Sequence, residues 1–539
     1  MMRNKTPAIG IRVAKYTWIW GLLFLLITSN AWGQTGSPAR MIPQTDMAIP
    51  AGGAVSVENA SPTGYLAANA IDGNPRTFWQ TEFGPPSIPT SCTVAPYCFI
   101  TIRLARNYTT NKLVYRPALA TLAGGADQPV GRVGEYHVLV TTDDTCSTGW
   151  TEVATGTWAD TTDTKRAVWN PVDTRCVKLE NRLSAHTPTT QHMHAAEIYL
   201  FEAAAPVADS PTAAQDADFQ ARCTAAGVTA CYGFDTAFVG ANADHVKDNA
   251  GVDHGVNLRK SGAGTGTQMP TRDTTYKTSG SGSLRFTAPP PPHDGADIAG
   301  QFLLDRTNEG IAGPPIATVL QSYGPNETFY IQFRYRKSNE AQFNSWGIAM
   351  KHMVLYGGTV PCDTNTPGLV LVNYTNSDLL IGYSRCGGDA WSTNTDLETW
   401  KNTVPYYQQQ GQQDCQYGFW NNCLYDRPDV WRTYYCKFGI ATFGSTGHTV
   451  ECWYAEQGAA AWTKFINLQN AFPLGTAISP SGFDAASFEM YMTGLTTGVG
   501  DAGVMSTVNI DELIVSSQPI ALPLPAAPGV NIPGFGQYK

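Results

Sequence analysis

Apolar and polar positions alternate along residues 329–336 (FYIQFRYR): Phe329, Ile331, Phe333 and Tyr335 fall on one side, Gln332, Arg334 and Arg336 on the other. A period of two is the signature of a strand with two unlike faces. Comparable short runs rich in β-branched and aromatic residues occur at 135–141 (EYHVLVT), 368–374 (GLVLVNY) and 509–516 (NIDELIVS), each bounded by Gly, Pro, Asn or Asp. In 346–356 (WGIAMKHMVLY), alternation places Met350 and His352 on one side and Lys351 opposite. In 432–440 (RTYYCKFGI), Tyr435 and Lys437 line up together, away from Tyr434 and Cys436. Long stretches with helical periodicity are lacking, so the expected fold class is all-β, built as sandwiches or jelly rolls rather than as an α/β layout.

Punctuation divides the chain. Residues 1–15 are basic and free of acid, 16–28 (YTWIWGLLFLLIT) form a short apolar run, and Ala31-Trp32-Gly33 places small residues before Gln34. That pattern predicts a signal peptide over 1–33 and a secreted protein. The run is shorter than the roughly 20 apolar residues of a membrane span, and no other segment qualifies. After a polar lead-in over 34–46, an Ala, Pro and Asp-rich stretch at 203–218 predicts a linker. Closely spaced prolines make 519–539 an extended tail. Two domains result, 47–202 and 219–518. The 539 residues are 42% hydrophobic and 15% charged, which excludes disorder as the main state. Net charge is −9; without the four bases of the leader, 31 bases face 44 acids, a charge of −13, which argues against a nucleic-acid partner. All 12 cysteines lie beyond the leader, so disulfides are expected. Sequence leaves their connectivity open; pairing neighbours would join 92 to 98, 146 to 176, 223 to 231, 362 to 386, 415 to 423 and 436 to 452.

The run from Glu58-Asn59-Ala60 through Ala70-Ile71-Asp72-Gly73-Asn74-Pro75-Arg76-Thr77-Phe78-Trp79 resembles the opening of the factor V/VIII type C, or discoidin, domain. Residues 135–138, 150–153, 174–179 and 196–200 continue the resemblance as successive strands. It implies a discoidin-like β-sandwich of the kind that serves as a family 32 carbohydrate-binding module. It also implies a structural calcium ion held by Asp72, Asn74, Thr77 and Glu197, an oxygen set that suits a hard cation. The same Asp-Gly-Asn-Pro composition also makes an ordinary turn. A sugar site needs an exposed aromatic plate flanked by donors and acceptors; Trp79 is read as core, leaving His192, His194, Tyr65 and Arg116 as loop candidates.

The second domain resembles the concanavalin A-like jelly roll, carried by 281–286, 329–336, 431–440, 450–455 and 510–516. A narrower resemblance is to jelly-roll alginate lyases, whose strands read R-x-E-x-R, Q-x-H and Y-x-K-x-G in that order. Here the counterparts are Gln332-Phe333-Arg334-Tyr335-Arg336, Met350-Lys351-His352 and Tyr435-Cys436-Lys437-Phe438-Gly439, with the leading Arg and the Glu of the first motif and the Gln of the second missing, and Ala441 at the later aromatic position of the third. The resemblance implies β-elimination on a uronate-containing polysaccharide. Arg334 or Arg336 would neutralise the carboxylate, His352 and Tyr435 would serve as base and acid, and Lys437 would lower the tyrosine pKa, with no catalytic cofactor. All five would have to line one open trough. The alternatives are a non-catalytic glycan-binding or adhesive domain, or a hydrolase using Glu451 and Glu489. Asp511 and Glu512 could hold a second calcium ion or cap the sheet. The expected partner in every case is an extracellular polysaccharide or cell-surface glycan.

Overall fold

The computed structural model describes residues 39–54, 65–73, 77–81, 97–118, 131–161, 164–185, 193–203, 209–240, 243–259, 269–288, 300–305, 323–339, 341, 350–356, 368–374, 379–385, 428–442, 448–457, 459, 461–471, 485–492 and 506–523. The leader, Asn74, His192, and cysteines 92, 362, 386, 415 and 423 therefore lie outside the described residues.

The first domain is built on a 7-stranded antiparallel sheet whose two long members, Cys98–Arg116 and Lys165–Ser184, pair along most of their length. Alternation on these strands sends Ile100, Ile102, Leu113, Val177 and Leu179 into one core with Trp79, which is fully buried as read from the sequence. The described part of the lead-in is structured: Arg40–Met41 pairs with Phe201 and Glu202 of the Glu197–Glu202 strand, and Gln44–Asp46 makes a turn of 3-10 helix.

The second domain is a sandwich of an 8-stranded and a 7-stranded sheet, both antiparallel. In the first of these, the Thr328–Lys337 strand lies between Ser506–Ser516 and Arg432–Gly439, and His448–Glu456 and Thr463–Ala471 follow outward. The second sheet contains Gln301–Asp305, Ala485–Met492 and Met350–Tyr356 as neighbours. Phe329, Ile331, Phe333 and Tyr335 all enter the core between the sheets, as their alternation predicts. Phe333 bridges the two layers, 5.4 Å from Tyr434 in its own sheet and 5.2 Å, edge-on, from Phe488 in the other. Such aromatic pairs add about 0.5–1.5 kcal/mol beyond their buried area.

One helix packs on the outer side of the 8-stranded sheet. Ala213–Cys223 begins within the expected linker because Thr212 and Gln215 form a reciprocal capping box. Its Phe219 packs with Cys231 and Ile514, and the Cys223–Cys231 disulfide ties its end to the Val228–Tyr232 strand. Disulfides also join Cys146 to Cys176 and Cys436 to Cys452, all three between sequence neighbours, and Cys98 is disulfide-bonded as well. Among the described residues, no helix is long and apolar enough to cross a membrane.

Candidate functional site

In the first domain, Asp72 and Glu197 face one another across the end of the sheet. Glu197 is fully buried, and burial followed by the charge of Asp72 raises its pKa well above the ordinary carboxylate value. Its Oε2 accepts from Gln44 Nε2 at 2.7 Å, while Oε1 is buried without a hydrogen-bond partner. Thr77 donates to Asp72 Oδ2 at 2.7 Å. Gly73 turns the loop at φ +78°, where any other residue would be strained, and a Cβ there would lie 2.6 Å from Gln44 Oε1 and displace that amide. A fully buried carboxylate facing a half-buried one is relieved by a shared proton or a cation between them, and an orphaned oxygen is an expensive feature otherwise. Asp72, Thr77 and Glu197 thus fit the calcium set implied by the sequence, with Asn74 outside the described residues. Gln44, which the sequence reading placed in the lead-in, contributes to this cradle.

Among the described residues, the loop candidates for a sugar do not form an open plate. Arg116 and His194 are both buried, at 5% and 6% exposure. Arg116 ends a central strand opposite Glu197, and His194 Nδ1 accepts from the Ala118 amide at 3.2 Å. Tyr65 lies against Phe78 at 4.5 Å.

Residues 54–195 match the F5/8 type C domain family. No curated protein matches the chain. Among solved structures, the chain is similar to a CBM32 module from Clostridium perfringens, solved in complex with GalNAc-β-1,3-galactose, at 25% identity; the match covers 30% of this chain and 99% of that one, with a TM-score of 0.24. It is similar to the PL-14 alginate lyase from Aplysia kurodai at 12% identity, covering 46% and 86% of the two chains, TM-score 0.29. It is also similar to the endo-β-1,4-glucuronan lyase from the fungus Trichoderma reesei at 15% identity, covering 51% and 94%, TM-score 0.31.

Beyond the F5/8 type C domain, the five residues assigned to elimination chemistry fall into three separate surroundings. His352 belongs to the other sheet and points into the sandwich. It has no exposure, stacks on Tyr335 at 4.1 Å and meets Tyr434 edge-on at 6.2 Å, and neither ring nitrogen has a hydrogen-bond partner. Burial, with Lys337 and Arg432 adding repulsion, drives its pKa well below 6.5. Arg334 and Arg336 lie on the outer face of the 8-stranded sheet but are buried. Arg334 donates through Nε to Glu512 Oε2 at 3.0 Å, and Arg222 of the helix binds the same oxygen while reaching Gln332 Oε1 at 2.7 Å. Arg336 donates to Asp429 at 2.7 Å and lies 3.6 Å over the Tyr276 ring.

Tyr435 and Lys437 share that outer face further along the sheet, as alternation predicts, and are half-buried. Burial, then the neighbouring Tyr330, pushes the Tyr435 phenol up to about 12, the wrong direction for a general base. Lys437 gives its ammonium to Glu451 at 2.9 Å. The single-trough expectation is therefore corrected: the main chain of one sheet separates His352 from Tyr435, and the two arginines are already neutralised.

The other carboxylate proposals change similarly. Glu451 is held below its ordinary pKa because the hydrogen bonds from Lys464 and Lys437 outweigh its partial burial. Glu489 is on the Ala485–Met492 strand of the opposite sheet, so the two do not flank one bond. Asp511 accepts from the Thr278 amide and hydroxyl at 2.7 and 2.8 Å, and Glu512 already has two guanidinium partners. Arginine occupies the role a second calcium ion would have had.

Proposed function

We propose that the chain is a secreted glycan-binding protein whose F5/8 type C domain engages sugar and carries a structural calcium ion on Asp72, Asn74, Thr77 and Glu197. The observation that carries this reading is the family match over residues 54–195. The fully buried Glu197, facing the half-buried Asp72 and with its Oε1 unbonded, supports the cation in the same domain. Calcium would neutralise the two carboxylates and fix the Asp72–Gly73 loop against Gln44. Disulfides between described cysteines fit the oxidising compartment that secretion requires. Uronate cleavage by His352, Tyr435, Arg334, Arg336 and Lys437 is not part of the proposal.

The test is binding of the full mature chain to a panel of immobilised glycans, in calcium and in chelator, beside calcium counting by atomic emission. The expected result is retention on at least one glycan, one calcium ion lost in Asp72→Ala, and a melting temperature that rises with calcium in the parent chain alone. Absence of retention on every glycan in calcium defeats the binding reading; a calcium content unchanged by Asp72→Ala defeats the metal assignment.

A further inference from the structure

One patch of the first domain is buried on both faces of its sheet. Along Cys98–Arg116, Leu113 and Tyr115 enter the domain core, and so do Ile198 and Leu200 of the neighbouring Glu197–Glu202 strand. Alternation turns the residues between them, Val114, Tyr199 and Phe201, to the outer face. The outer face of a sandwich meets water unless something covers it. Here Val114 and Phe201 have no exposure and Tyr199 has 8%, with Ala39 and Met41 of the lead-in packed beside them. Lys112 shares this face by the same alternation; it too is buried, with its ammonium 4.1 Å over the Phe201 ring.

Two hydrogen bonds identify what lies against the patch. Lys112 Nζ donates to Asn339 Oδ1 at 3.0 Å, a contact spanning 227 positions, and Asn339 Nδ2 donates to the Ala39 carbonyl at 3.0 Å. Asn339 belongs to the second domain, just past the Thr328–Lys337 strand, and is itself buried. Its place there is fixed. The Ser338 amide donates to the Thr507 carbonyl at 2.9 Å, and Ser338 Oγ accepts from the Thr507 amide at 3.1 Å. Asn339 Nδ2 also donates to Asp429 Oδ2 at 3.2 Å, while Arg336 holds the other oxygen at 2.7 Å. The segment expected to be a linker is anchored on the same domain: Asp209 accepts from Trp431 Nε1 at 2.7 Å, and its amide donates to the Thr275 carbonyl at 2.8 Å. Covering the patch removes the apolar surface of Val114, Tyr199 and Phe201 from water, and the Asn339 amide and the Phe201 ring replace the hydration that Lys112 gives up.

We propose that Lys112, Val114, Tyr199 and Phe201, with Ala39 and Met41, form a docking surface for the Asn339 end of the second domain, so that the F5/8 type C domain is carried rigidly rather than on a free tether. Whatever the first domain holds is then presented to the second in one fixed orientation.

Small-angle X-ray scattering of the full mature chain tests this, beside labelling of lysines by an amine-reactive reagent read residue by residue by mass spectrometry. In the parent chain, one arrangement of the domains should fit the curve at low and high salt alike. Lys112 should react at least about tenfold more slowly than Lys464, which is 35% exposed. Val114→Arg puts a charged side chain on the outer face, and Asn339→Leu removes the acceptor of Lys112 and the donor to Ala39. Both should enlarge the radius of gyration and bring Lys112 to the labelling rate of Lys464, with near-UV circular dichroism retained as the sign that each domain is still folded. Rapid labelling of Lys112 in the parent, or a parent curve that needs several domain orientations, would overturn the proposal without recourse to any variant. So would two folded variants with the parent's curve, or Lys112 still protected in a folded variant whose curve has expanded.

Discussion

One outer sheet face presents two cationic neighbourhoods that the amino-acid pattern alone does not distinguish. At one end, Arg334 and Arg222 converge on Glu512 beneath the Ala213–Cys223 helix, and the whole group is buried. At the other, Lys437 and Lys464 converge on Glu451 in contact with solvent. In both, two cations share one carboxylate, although Arg222 comes from the helix and also pairs with Asp218. Their difference comes from what covers them. Under the helix, desolvation makes each charge depend on its partners; in the open, water screens the same arrangement and leaves the lysines accessible to a ligand. A bulge also contributes. The register slips between Gln332 and Arg334, where Glu512 adopts φ +48°, so Asp511 and Glu512 both reach the outer side while Leu513 enters the core.

The largest effect is expected from Glu512→Ala. It strands two buried guanidinium groups, and removing one partner of such a cluster costs about 3–5 kcal/mol. Urea unfolding should show the midpoint falling accordingly, at little change in slope. Replacing Arg222, Arg334 and Glu512 together by Met should recover most of that loss, because apolar residues of similar size need no counter-charge. A loss below about 1 kcal/mol for Glu512→Ala would mean that the cluster is solvated and that its contrast with the lysine cluster is unfounded.

How far the sequence showed this contrast can be followed residue by residue. The facing of Phe329 to Arg336 and of Tyr434 to Lys437 was legible because a strand's side chains alternate wherever the strand is placed. The F5/8 type C match and the all-β class were legible for a related reason: local motifs and short apolar runs survive without knowledge of pairing. Sheet membership was not legible. The order of the segments containing Arg334, His352 and Tyr435 was read as one surface, but Met350–Tyr356 pairs with Ala485–Met492 in the opposite sheet. Alternation then turned His352 inward. Coverage was hidden too: Arg222 lies 112 positions before Arg334, and only the capping signal Thr212-Ala213-Ala214-Gln215 marked the helix that brings it there. Gln44 escaped notice because its contact with Glu197 spans 153 positions.

A smaller effect is expected from His352→Leu, which separates a packing histidine from a catalytic one. The ring faces Tyr335 and Tyr434, with Lys337 and Arg432 as the nearby charges, and folding holds it neutral. Its unfolded pKa is about 6.5 and its folded pKa is lower, so its stabilising effect is fully present above about pH 6.5. Below that, the unfolded chain takes up the proton and stability falls as pH drops toward the folded pKa. At pH 7.5, Leu should change stability by less than about 1.5 kcal/mol, since it is close in volume and removes two unbonded nitrogens. Comparing urea midpoints at pH 7.5 and 5 should show a shallower decline in the variant. An identical decline would place the titration elsewhere and leave His352 accessible to protons.

The smallest effect is expected from Glu451→Gln, the open counterpart of Glu512→Ala. Its lysine partners are more than a third exposed, so the ion pairs contribute no more than about 1 kcal/mol and the melting temperature should barely move. A melting temperature lowered as far as in Glu512→Ala would show that this cluster depends on its central carboxylate as much as the buried one does, and would erase the comparison.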